Sequence, residues 1–183
     1  LAAPMQAGDE PFADNALASL NGRRFVVLHP YPKFHYKTWS TTGWVALAQW
    51  LLGKGVGVVF TGSGDATEVE YVRAIAAQVP NALNLAGQLS LGGTTAVIVR
   101  AAAYVGPDTA TTHIAAALGV PLVTFFGPTD PLKWGPWPKG HGTETTPWQR
   151  LGDQAISNVR LLQGATACAP CNREGCKRQI GRA

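Results

Sequence analysis

The sequence predicts an α/β fold, a doubly wound parallel sheet with helices on both faces. Three observations carry this. Apolar runs of 4–7 residues recur along the chain. Stretches whose apolar residues repeat at helical spacing alternate with them. Glycine or proline closes several of the helical stretches, as at Gly53, Pro80 and Gly119. Strands that alternate with helices are joined by crossovers, and crossovers force parallel pairing in a sheet buried on both sides.

Residues 1–22 read as a lead-in or interdomain linker with a short helix around 13–20. Phe25 to Leu28 is a continuous apolar run and the first strand. Trp44, Leu47, Ala48 and Leu51 stand at i, i+3, i+4 and i+7, a helix that Gly53 and Gly55 end. Residues 56–61 are the second strand. Val69, Val72, Ala76 and Val79 mark a helix closed by Pro80, and residues 82–86 are the third strand. Residues 90–102 read as a helix whose start Gly92 and Gly93 weaken. Residues 103–106 are the fourth strand. Ala110, Ile114, Ala117 and Leu118 mark a helix capped by Gly119, and residues 121–126 are the fifth strand. Residues 127–150 then gather five prolines, four glycines and three tryptophans, the composition of a long ordered loop. Residues 155–162 read as a last strand or helix, and no internal repeat is visible.

Length and composition suit one globular domain: 183 residues, 46 % hydrophobic and 14 % charged. No apolar run approaches the ~18 residues of a membrane span. The start, Leu1-Ala2-Ala3-Pro4, has neither an initiator Met nor the basic and apolar regions of a signal peptide, so the chain reads as a piece of something longer. The net charge of +4 is uneven. Residues 1–149 hold 9 basic and 9 acidic residues, whereas 150–183 hold 6 and 2. The basic tail is either a solvated segment or a surface for an anionic partner, such as a membrane or a phosphorylated glycolipid. A neutral body without a recognition motif argues against nucleic acid.

All three cysteines, Cys168, Cys171 and Cys176, lie in that tail. An odd count does not suit a disulfide framework. Cys-x-x-Cys followed by a third Cys is the pattern of an incomplete thiolate site for zinc or iron, lacking a fourth ligand.

Polar residues cluster where strands end, and ligands of doubly wound sheets sit at the carboxyl ends of strands. After the fourth strand comes Asp108-Thr109-Ala110-Thr111-Thr112-His113. The helix that begins there offers unpaired N–H groups and a positive dipole end, a natural seat for phosphate. Asp108 or Thr109 reads equally as a simple helix cap. After the first strand, Lys33 and Lys37 lie where a phosphate would need a point charge, or are solvated loop charges. After the second, Gly62-Ser63-Gly64-Asp65 is a weak dinucleotide fingerprint, since Thr67 replaces the last glycine. Glu68 beyond it suits ribose hydroxyls, or the dipole of its own helix.

Residues 25–176 resemble the carboxyl-terminal half of glycosyltransferase family 9, the ADP-heptose:lipopolysaccharide heptosyltransferases. The resemblance rests on Leu28 to Trp39 ("LHP…K-x-W"), Thr61 to Glu68 ("TGSGD…E"), Asp108 to Pro121 ("DTATTHIAAALGVP") and Phe125 to Pro131 ("FFGPTDP"). The tail "CAPCNREGC" is similar to a cysteine cluster in part of the family, where a further cysteine follows. The resemblance implies a Rossmann-like sheet, the carboxyl-terminal half of a two-domain glycosyltransferase B-type fold. It divides the chain into a linker (1–22), a nucleotide-sugar-binding domain (23–150) and a basic Cys-containing tail (151–183).

The resemblance also implies an inverting transfer of heptose from ADP-heptose to a lipopolysaccharide inner-core acceptor, with no cofactor required. Lys37 would contact the diphosphate, Glu68 the ribose and Asp108 the sugar hydroxyls. Thr109, the Ala110 backbone and His113 would border diphosphate and sugar. The acceptor and the catalytic base belong to an amino-terminal domain that this sequence lacks, so the chain alone is expected to be inactive. The expected location is cytoplasmic, at the periphery of the inner membrane. Departures at Ala110, Tyr31 and Pro32 leave open another nucleotide sugar as donor; the separate alternatives are a protein acceptor, or a nucleotide-binding module without transfer activity.

Overall fold

The computed structural model describes residues 5–142, 144–164 and 169–171. In chain order the elements are α1 (Asp9–Leu17), β1 (Phe25–Leu28), α2 (Thr41–Gly53), β2 (Gly57–Phe60), α3 (Ala66–Ala76), β3 (Leu83–Asn84), α4 (Leu91–Arg100), β4 (Ala103–Pro107), α5 (Ala110–Leu118), β5 (Leu122–Phe126), α6 (Pro131–Trp134), β6 (Gln154–Ile156) and β7 (Val159–Gln163). The strands form one sheet in the order β3-β2-β1-β4-β5-β7-β6. Every neighbouring pair is parallel except the β6–β7 hairpin.

The four residues of β1 are all buried and alternate between two cores. Phe25 and Val27 join Val59, Ile98, Tyr104, Ala115 and Leu161 on one face. Val26 and Leu28 join Trp44, Phe60, Val72 and Ile75 on the other. Helices α2 and α3 cover the second face; α1, α4 and α5 cover the first. This two-sided burial is why the strand sequences read as continuous apolar runs. From β1 the chain winds outward to β3, then returns through α4 to place β4 against the free side of β1, with Val26 opposite Ala103 and Leu28 opposite Val105. The sheet order therefore reverses between β1 and β4, and the loops leaving these two strands open a crevice at their carboxyl ends.

The helix expected around 13–20 starts earlier, at Asp9, and packs on α4 with Ala13 fully buried. Asp9 accepts from the Ser90 hydroxyl (2.8 Å), and Asp14 accepts from Arg100 (3.0 Å). Its apolar face is short, with Ala13 buried and Ala16 and Leu17 partly buried against the first core, so no strong apolar period announced it. Residues 155–162, read as a last strand or helix, fall within the β6–β7 hairpin at the edge of the sheet. β7 pairs in parallel with β5, burying Val159, Leu161 and Gln163 and exposing Arg160, which is period-2 alternation.

α4 forms despite Gly92 and Gly93 because Ser90 caps it, its hydroxyl accepting from Gly93 N at 2.9 Å, and because residues 92–98 are all buried. The loop from 127 is ordered around Trp148, 3 % exposed, whose indole N–H donates to Pro136 O at 3.0 Å. The Gln163 amide donates to Gly127 O and Thr129 O, tying this loop to β7. None of the described helices is long and apolar enough to cross a membrane. Of the three cysteines, Cys168 and Cys176 lie outside the described residues; Cys171 is half-buried with a free thiol. Among the described residues no three His, Cys, Asp or Glu side chains gather as a metal site would need.

Candidate functional site

A cavity of about 780 Å³ opens at the carboxyl ends of β1, β2 and β4. Its walls come from the loop after β1 (His29, Tyr31, Lys33), the β2–α3 turn with Glu68, the start of α4, and the start of α5 (Thr109, Ala110, Thr111).

Four helices, α2, α3, α4 and α6, have a side-chain oxygen accepting from a first-turn N–H. α5 does not. Thr109 stands at its N-cap in extended conformation with no side-chain cap bond. Its hydroxyl is drawn instead toward Thr111 (3.0 Å) and Thr112 (3.2 Å). Those two meet the Tyr104 hydroxyl at 2.8 and 3.1 Å, and Thr112 donates to Pro107 O at 2.5 Å. Tyr104 is fully buried, and burial raises the pKa of its phenol, so the hydroxyl stays protonated. The cluster fixes the start of α5 while leaving its leading N–H groups and positive dipole end facing the cavity. Gly119, at φ +83°, closes the helix in the left-handed conformation that glycine adopts without strain.

Asp108 does not cap α5 either. Its Oδ2 receives the Lys37 ammonium at 2.6 Å, and its Oδ1 lies 3.2 Å from His113 Nε2. The Lys37 and Asp108 side chains are only 11 % and 7 % exposed. Burial alone would raise the Asp108 pKa. The hydrogen bonds from His113 and Lys37, with the Lys37 charge, outweigh it and hold the carboxyl below its ordinary value. Lys37 also lies 5.6 Å from the Phe34 ring centroid and 5.8 Å from that of Tyr36. Lys33 is exposed and lines the cavity.

Glu68 is 8 % exposed, in the first turn of α3. Ser63 holds both of its oxygens: the backbone N–H donates to Oε1 at 2.8 Å and the hydroxyl to Oε2 at 2.5 Å. Gly62 makes room for this, since a Cβ there would stand 3.1 Å from Glu68 Oε1. His29 Nε2 lies 3.8 Å from the same oxygen, yet the two are not an ion pair at neutral pH, because burial lowers the His29 pKa to about 4. Its Nδ1 is 3.1 Å from the Thr61 hydroxyl.

The fold thus gathers all six residues singled out in the sequence, Lys37, Glu68, Asp108, Thr109, Ala110 and His113, around one crevice. Lys37, Asp108 and His113 form a linked trio, while Glu68, Thr109 and Ala110 stand on the cavity wall. Sequence reasoning missed His29, Ser63 and Tyr104. Ser63 sat inside the Gly-Ser-Gly turn, and a buried neutral His or Tyr leaves no spacing signal.

The sequence profile of glycosyltransferase family 9 (heptosyltransferase) matches residues 2–151. Lipopolysaccharide heptosyltransferase 3 of Escherichia coli is 35 % identical over 118 residues, 63 % of this chain and 35 % of that protein. Lipopolysaccharide heptosyltransferase 1 of Pseudomonas aeruginosa is 35 % identical over 129 residues, 70 % of this chain and 36 % of that one. The chain spans about a third of the length of these curated relatives. The solved structure of E. coli ADP-heptose lps heptosyltransferase II superposes with a TM-score of 0.69 at 24 % identity, over 90 % of this chain and 46 % of that one, a likeness of fold. With its resemblance borne out and residues 2–151 matched, the chain belongs to glycosyltransferase family 9, the heptosyltransferases.

Proposed function

We propose that this chain is the donor-binding half of an inverting heptosyltransferase that takes heptose from ADP-heptose to a lipopolysaccharide inner-core acceptor. One observation carries the reading: the uncapped start of α5 and the buried carboxylate of Glu68 face the same cavity. A helix N-terminus suits a diphosphate. A carboxylate has about four acceptor positions, and the two donors of Ser63 leave the others for ribose hydroxyls.

An ammonium carries three donors, so Lys37 can keep Asp108 and still reach a phosphate oxygen. Asp108, held anionic, accepts from sugar hydroxyls, with His113 and the Thr109–Ala110 backbone beside it. As the sugar–oxygen bond breaks through an oxocarbenium-like transition state, negative charge grows on the departing diphosphate. The α5 dipole and Lys37 are already oriented to stabilise that charge. The acceptor hydroxyl and its base come from a second, amino-terminal domain, so this chain alone binds donor without transferring sugar. The unit that does so extends through Gln163, past the 150 expected from sequence. The whole enzyme works in the cytoplasm at the face of the inner membrane.

Calorimetry tests the reading. This chain should bind ADP and ADP-heptose, and bind UDP more weakly. No binding of ADP, or a preference for UDP, would overturn it.

A further inference from the structure

Thr94 and Thr95 are neighbours on α4, chemically identical, and differently satisfied. Thr95 donates its hydroxyl to Leu91 O at 2.8 Å, the usual way a helical threonine pairs with the preceding turn. Thr94 makes no such bond, and its hydroxyl has no partner among the described residues. The residue is 6 % exposed, yet it lines the donor cavity. The hydroxyls of Thr38 and Thr124, also unpartnered, are sealed from solvent; that of Thr94 is not among the sealed atoms and keeps its access to the cavity. Of the other threonines on the wall, Thr109 and Thr111 are bound within the Tyr104 cluster, and Thr67 is exposed. A nearly buried, unpaired hydroxyl facing a cavity is an unmet hydrogen bond that a ligand can fill.

The surroundings of Thr94 say which part of a ligand fits. The start of α5 is uncapped and attracts an anion. The start of α4 is already capped by Ser90 and so offers no free anion seat. What α4 presents to the cavity is one neutral hydroxyl, with Leu89 and Leu91 beside it on the same wall. Apolar walls with a single polar atom suit a flat heterocyclic base, and a hydroxyl can donate to a ring nitrogen or accept from an amino group. We infer that Thr94 reads the base of the bound nucleotide, as a specificity residue of the donor site. This rests on the donor-binding reading above.

The test compares the chain with Thr94→Val, which replaces the hydroxyl by a methyl of the same shape, and with Thr94→Ser, which keeps the hydroxyl. Each is titrated with ADP and with base-free inorganic pyrophosphate. Thr94→Val should bind ADP about five- to tenfold more weakly, the loss of one neutral hydrogen bond, and bind pyrophosphate as before. Thr94→Ser should keep most of the ADP affinity. Thr94→Val should also melt no lower than the parent, because it removes a polar group that had no partner. Unchanged ADP binding in Thr94→Val overturns the assignment alone. An equal loss for pyrophosphate does the same, since the hydroxyl would then serve the phosphates or the fold. A parent chain that binds neither ligand overturns the donor reading and this assignment with it.

Discussion

Lys37 Nζ stands 2.6 Å from Asp108 Oδ2, joining residues 71 apart in sequence. They meet because β1 and β4 are neighbours in the sheet, and each residue sits in the loop or turn that leaves one of these strands. The pair crosses the point where strand order reverses, where a doubly wound sheet binds its ligand.

Lys37→Ala should weaken ADP binding by roughly 1.5–3 kcal/mol, the range for a hydrogen bond to a charged group. It should also raise the Asp108 pKa, by removing one of the two partners that oppose burial. Lys33→Ala should cost less, as Lys33 is exposed on the rim and has no ion pair among the described residues. Calorimetry on both variants checks this, and equal losses would place the phosphate away from Lys37.

Glu68→Gln tests the ribose contact. It keeps the side-chain shape but replaces one acceptor oxygen by a donor. ADP affinity should fall about tenfold or more, while 2′,3′-dideoxy-ADP, which lacks the hydroxyls, should bind both proteins alike. Parallel losses for the two ligands would mean that Glu68 serves only to hold Ser63.

Stability should depend on pH through His29. Burial lowers its pKa from 6.5 to about 4, so between these values the unfolded chain takes up a proton that the folded protein refuses. Stability is therefore full above about pH 6.5 and falls as the pH drops towards 4, by about 3 kcal/mol in all. Asp108 acts in a separate window: its lowered pKa gives stability present above 3.8 and lost only at more acid pH. Urea midpoints measured from pH 7 to 4.5 should show the slope, and His29→Gln should flatten it. A flat parent profile would refute the assignment.

Gly106→Ala should destabilise the fold by about 1–3 kcal/mol, as overpacking of a tight core does. A Cβ there would stand 2.7 Å from the Tyr104 hydroxyl oxygen and 2.9 Å from its ring. Tyr104 and Gly106 share one face of β4. The ring is fully buried and its hydroxyl anchors the threonine cluster, so it has little room to move. Thermal melts check the prediction; a parent-like melting temperature would show that β4 relaxes freely.

Much of the fold was readable because its signals are local. The runs at Phe25–Leu28 and Gly57–Phe60 are apolar throughout since both sheet faces are covered. Gly119 is glycine because its φ of +83° demands it. Asp108, Thr109 and His113 stood out as polar residues at the end of a buried strand. Less was readable where packing decides. β7 alternates over only five residues, and α1 packs through a short face of Ala13, Ala16 and Leu17 with polar links from Asp9 and Asp14.

The sequence by itself determined the alternation of strands and helices, the parallel sheet, the family, and the stations where polar residues gather. Tertiary structure alone decided what those residues do there. It turned Thr109 from a cap into a member of the Tyr104 cluster, and it set Lys37 on Asp108 rather than in solvent. It made His29 a neutral neighbour of Glu68, and it left the Thr94 hydroxyl without a partner among the described residues, beside a paired Thr95. Spacing along a chain places a side chain on a face or at a strand end. Its protonation state and hydrogen-bond partner depend on the burial and charges that other segments bring, and only folding sets those.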